Sequence, residues 1–186
     1  MRFLLCMLAA VSLLWSSAAE AAVRIDFRSR DTDSRFPHAF VVLTGTVDST
    51  GEAVNANYGF TLKQTISITI LAMPADGQIH AVRENDIPNS NLHFSLVLSD
   101  AEYQTIVKLV EEWKALPQPS YRLRERNCVT FVAAVAAALG LDASMVRGLE
   151  LKPHSFLDSV AERNRALIAA RSGGAVTSAA ATSAPQ

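Results

Sequence analysis

From His38 to Val47 the chain reads HAFVVLTGTV, a run of apolar and β-branched residues. After the turn-like DSTGE, the stretch AVNANYGFTL alternates Asn55, Asn57 and Gly59 against Val54, Ala56, Tyr58 and Phe60. Two such runs joined by a polar turn predict a β-hairpin. TISITILAM predicts a third strand, PADG a turn and QIHAVRE a fourth strand. NLHFSLVL predicts a fifth, reached through the polar NDIPNS. The first half of the chain is therefore expected to be mainly sheet.

At LSDAEYQTIVKLVEEWKAL the period lengthens. Tyr103, Ile106, Val110 and Trp113 fall on one helical stripe, and Ser99 followed by Glu102 has the capping-box spacing, so a helix of about four turns is predicted. PQP ends it. A second helix is predicted from Asn127 to Gly140, a glycine suited to the left-handed position past a helix end. A third begins at Pro153, with Phe156, Leu157, Val160 and Leu167 as its apolar side. Strands followed by helices predict an α+β domain, an antiparallel sheet with helices packed on one face.

The two ends of the chain narrow the domain. Met1, Arg2, the apolar FLLCMLAAVSLLWSS and the small residues of SAAEAA form the pattern of a secretory leader over residues 1–21, with cleavage near Ala21 or Ala22. The closing SGGAVTSAAATSAPQ, residues 172–186, has no apolar periodicity and is expected to be a disordered tail. Residues 22–171 remain as one domain, large enough to bury a core without disulfides. The mature protein is expected to be exported, periplasmic or secreted, with no transmembrane helix once the leader is removed.

The formal net charge of −1 sets up no strong field toward nucleic acid or anionic lipid, so no nucleic-acid partner is expected. The sequence has no glycine-rich phosphate loop and no Cys/His cluster at zinc-ligand spacing, so neither a cofactor nor a metal is expected.

Of the two cysteines, Cys6 belongs to the leader, which leaves Cys128 alone and unable to form an internal bridge in an oxidising compartment. A lone exported thiol is either an inert buried residue or a nucleophile. Asn127 is a favourable N-cap, which puts Cys128 at the first helical position, where unpaired amides and the helix dipole favour a thiolate. Arg122, Arg124 and Arg126 precede it; they would depress its pKa if they folded toward the sulfur, and would do nothing if they stood in solvent. Cys128 shares a stripe with Phe131, Val132, Val135 and Leu139, the face expected against the sheet. A nucleophile so placed needs a base on a facing strand. His38 opens the most apolar strand and shares a face with Phe40 and Val42, so it is expected to point into the domain. On these residues alone two readings stand level: a catalytic dyad, or a strand-capping histidine and a small core cysteine.

A resemblance separates them. PHAFVVLTG, then NYGF about twenty residues on, then LSDAEYQTIVKLVEEW and YRLRERNCVTFV resemble the circularly permuted papain-like thiol enzymes. That group includes permuted relatives of the NlpC-type cell-wall peptidases, the lecithin:retinol acyltransferase-like enzymes, and exported bacterial domains similar to the Lnb N-terminal periplasmic domain. In it a strand bearing His precedes a helix opened by Asn-Cys or Asp-Cys. The similarity runs from about Phe36 to Asn164.

The resemblance implies a permuted papain-like fold, Cys128 as nucleophile, His38 as general base and a third residue that orients the imidazole. Asn57 is the first choice for that role, with Asn55, Thr61 and His80 as rivals. A hairpin centred at Ser49 and Thr50 puts Thr61 opposite His38, whereas Asn57 needs a centre nearer Val47.

The implied function is an exported cysteine hydrolase cleaving an amide in peptidoglycan or a peptide. The alternatives are a lipid ester or thioester hydrolase or acyltransferase acting on an acyl-lipid through the same dyad, or a non-catalytic envelope module that binds a ligand. His93 and His154 read as surface or capping residues, Trp113 and Tyr121 as core, and VRENDIPNS as a solvated connection.

Overall fold

The computed structural model describes residues 22–32, 35–64 and 73–172. The expected leader, most of the TISITILAM strand and nearly all of the expected tail lie outside these residues.

Five strands form one antiparallel sheet: β1 (Val23–Thr32), β2 (Arg35–Thr46), β3 (Ala53–Leu62), β4 (Gly77–His80) and β5 (Asn91–Leu98), in the order β4-β3-β2-β1-β5. The first of these was not anticipated, although Val23, Ile25 and Phe27 alternate with Arg24, Asp26 and Arg28 and bury the apolar set. β2 and β3 form the expected hairpin. Val42 pairs with Asn57 and Val41 with Tyr58, which centres the turn at Ser49 and Thr50. The Asp100 carboxylate accepts from the Asp48 and Ser49 amides and ties this turn to the helical layer.

QIHAVRE was expected as a full strand, but β4 ends at His80. The Asn57 side chain captures the backbone of Val82 from both sides, accepting from its amide at 2.5 Å and donating to its carbonyl at 3.2 Å. From there residues 81–90 cross one face of the sheet to reach β5 at the opposite edge. Arg28 donates to the carbonyls of Ile87 and Ser90, and Arg30 pairs with Asp86. Val82 and Ile87 pack on Phe40 and Val42 in a small apolar cluster under this crossover.

The helices cover the other face: α1 (Asp100–Lys114), α2 (Cys128–Ala138), α3 (Pro153–Arg163) and α4 (Arg165–Arg171). The expected capping box of Ser99 and Glu102 opens α1, and Gly140 takes φ 80° beyond the end of α2. The main core joins Ile25 and Phe27, Ala39, Val41 and Leu43, and the stripe Phe131, Val132 and Val135 of α2. Leu167 departs from expectation: the third helix stops at Asn164, whose amide bonds the Asp142 and Val160 carbonyls, so Leu167 falls on α4 and is exposed. The architecture is α+β, an antiparallel five-stranded sheet with four helices. Among the described residues no helix is long and apolar enough to cross a membrane.

Candidate active site around Cys128

Asn127 fixes the start of α2. Its side-chain oxygen accepts from the amides of Val129 and Thr130, and its amide donates to the carbonyls of Leu123 and Glu150 at 2.6 and 2.8 Å. Thr130 Oγ1 accepts from the Asn127 amide in return. All of this side chain's polar capacity is used in burial, so the cap also binds the loop before α3 to the mouth of α2.

Cys128 follows at the first helical position and is only 9% exposed. Burial pushes its thiol pKa up, against the opposing pull of the Ala39, Val129 and Cys128 amides that lie against the sulfur. The resting group is a neutral thiol. The arginines do not bear on it: Arg122 and Arg126 close a tight turn through mutual backbone bonds, and Arg122 faces Glu125. Tyr121, packed on Phe60, has its pKa raised by burial and by the nearby Cys128. Trp113 meets Phe60 and Phe131 edge-on, so both aromatics are core, as expected.

His38 shares a buried face with Phe40 and Val42, as expected, but that face is not the one that meets α2. It lies with Phe40 and Val42 on the crossover face of β2, stacked on Phe40 at 6.1 Å, whereas Ala39, Val41 and Cys128 belong to the helix-side core. The alternation of a strand sends neighbours to opposite faces, and both faces of β2 are apolar. Burial lowers the His38 pKa to about 4, aided by the charges of Arg30 and His80. The imidazole is neutral, and no hydrogen bond joins it to Cys128 among the described residues. What the structure does bring together is the sulfur and the Ala39 amide, the peptide unit that begins at the carbonyl of His38.

Asn57 sits opposite Val42, and its amide is spent on Val82, so it holds the crossover rather than the imidazole. Asn55 pairs with Thr44, farther still from His38. His80 pairs with Gly59 and acts on His38 through charge alone.

The His38 ring lies directly over Gly59. A Cβ built there would stand 2.4 Å from His38 Nε2, so only glycine admits the ring. Gly59→Ala is expected to cost about 1–3 kcal/mol, read by urea denaturation, and to shift the His38 imidazole resonances. Unchanged resonances would mean that the ring does not occupy this site.

His93 is placed otherwise than the sequence suggested, whereas His154 stays at the surface in the first turn of α3. The His93 side chain is 2% exposed. Its Nδ1 lies 2.7 Å from Asp158 Oδ1 and its Nε2 lies 2.8 Å from Ser29 Oγ. An ionised carboxylate only accepts, so a neutral His93 carries its proton on Nδ1 and accepts from the Ser29 hydroxyl. His154 Nε2 reaches the other oxygen of Asp158 at 3.2 Å. The connectivity is that of a Ser-His-Asp triad, but Ser29 has no exposed surface, so the group acts as a polar clamp between β1, β5 and α3. The signal in the sequence was the spacing of His154 and Asp158, four apart on one helix face.

No known family model, no curated protein and no solved structure matches this chain.

Proposed function

We propose that the protein is an exported cysteine hydrolase of the permuted papain-like type that cleaves an amide bond in peptidoglycan or a peptide. The observation that supports this most is the seat of the Cys128 sulfur at the mouth of α2, against the amide that follows His38. The sulfur thus lies against the peptide unit that follows His38, while the imidazole itself sits across the strand. The leader pattern supports export, and an exported domain encounters peptidoglycan and peptides first.

In this mechanism His38 is a neutral base in waiting. Substrate entry opens the thiol, the His38 ring turns toward it, and the Sγ proton passes to the imidazole as sulfur bonds to the carbonyl carbon. The Cys128 amide, which already lies against the sulfur, donates to the developing oxyanion. Collapse expels the amine, which takes the proton from His38. Water then hydrolyses the thioester and frees the thiol. Asn57 acts at one remove, holding the crossover that walls the imidazole face.

A second reading, a non-catalytic ligand-binding module, is favoured by the resting state itself, in which the thiol is protonated and the imidazole sits across the strand. Acid quenching during turnover of peptidoglycan fragments, blocked peptide amides and acyl thioesters separates the two. A hydroxylamine-labile acyl adduct on Cys128, seen by intact mass, is expected. If no substrate leaves an adduct while one fragment binds wild type and Cys128→Ala alike, the module reading replaces the hydrolase.

A further inference from the structure

Among the described residues β5 lies at the end of the sheet and pairs only with β1. Its eight residues, NLHFSLVL, contain no charge and no proline. Sheets protect such edges with short strands, lysines, prolines or a covering element. The other end of this sheet is protected, because β4 has only four residues. No group among the described residues bonds the outward main-chain positions of residues 94–98.

Beside this edge lies a cleft of about 620 Å³, walled by the consecutive strand residues Leu92, His93, Phe94 and Ser95 and by Ile168 and Ala169 of α4. Leu92 is 46% exposed. The charges that line the cleft are already matched: Arg24 with Asp26, Arg165 with Glu162, and Asp158 with the two histidines.

We propose that this cleft is a docking site for an extended, uncharged peptide segment, which adds to β5 as a sixth strand and sets alternate apolar side chains between β5 and α4. Main-chain bonding would supply affinity and the apolar walls the selectivity. The neutralised lining disfavours a charged segment, which would leave its charges without a counter-ion.

A second copy of the chain is the poorer fit. α4 packs on β5 at this edge. Antiparallel β5-to-β5 pairing would put both copies of α4 on the same side of a continuous sheet. Strands would then stand about 4.8 Å apart where packed helices need about 8–10 Å. The site owes nothing to the thiol and is independent of the proposed hydrolase.

The test is selection of a phage-displayed library of random eight-residue peptides on the intact domain, followed by titration of the most enriched synthetic peptide. Uncharged sequences with alternating apolar residues are expected, with amide shifts confined to β5 and α4 and slowed hydrogen exchange along residues 94–98. Leu92→Lys, a charge on an exposed edge position, is expected to weaken binding about tenfold with an unchanged melting temperature. Cys128→Ala should bind as wild type does. The proposal fails if nothing enriches above the empty phage, if the enriched peptides are charged, or if the shifts map to another surface. It fails equally if sedimentation shows dimers that Leu92→Lys dissolves, because the edge would then belong to a second copy.

Discussion

Cys128→Ala is expected to abolish turnover on whichever substrate the wild type cleaves, when assayed on peptidoglycan fragments, blocked peptide amides, lipid esters and acyl thioesters. The thiol is the atom that bonds to the acyl carbon, and alanine offers no replacement. His38→Ala is expected to lower the rate on the order of a hundredfold, the usual worth of a positioned base. The double variant should be no slower than Cys128→Ala, since a base has nothing to activate once the thiol is gone.

Melting curves must accompany these rates, because the His38 ring packs on Phe40 and over Gly59, and lost folding would imitate lost chemistry. His38→Gln supplies the control, filling part of the space without a titrating ring. A folded Cys128→Ala with wild-type turnover would end the thiol-enzyme proposal. A folded His38→Ala with full activity would keep the nucleophile and remove the base.

The parts of the fold that could be read in the sequence are those set by neighbours along the chain. Strand β5 and the hairpin strand β3 follow from alternation, and the starts of α1 and α2 follow from the side-chain caps of Ser99 and Asn127. The early end of β4 could not be read, because it depends on Asn57 gripping Val82 from 25 residues away.

Which face of β2 meets the helices was equally hidden. Phe40 and Val42 are as apolar as Val41 and Leu43, and both sets are buried, one by the crossover and one by α2. A strand with two apolar faces carries no mark of which is the helix side, and the placement of His38 rests on that choice. For His93 the misleading rule was alternation itself. The ladder between β1 and β5 is irregular at Phe27 and Arg28, and there His93 turns inward to Ser29 while Phe94 stays buried. The sequence could nominate Cys128, whose setting is one helix end, but not its relation to a histidine on another element.

Acid is expected to destabilise the fold through His38 before any carboxylate titrates. Its pKa falls from the ordinary 6.5 to about 4 in the folded protein, chiefly through burial, with Arg30 and His80 adding repulsion. Between these values the unfolded chain binds the proton and the folded chain does not, so stability rises with pH across the window. The contribution is therefore fully present above about pH 6.5 and is lost as pH falls toward 4.

That displacement corresponds to about 3 kcal/mol. Asp100, Glu102, Asp142 and Glu150 all have lowered pKa values, so their own losses start as the pH falls into the ordinary carboxylate range and run downward from there. The upper part of the window, from pH 6.5 to 5, thus isolates imidazoles. The decisive quantity is the difference between wild type and His38→Gln in urea-unfolding free energy at each pH, which cancels what every other group contributes. Wild type should lose about 3 kcal/mol more than the variant between pH 7 and 4. Parallel curves would mean that the His38 ring is open to water in the folded protein, and that the imidazole proposed as base is not held neutral by its surroundings.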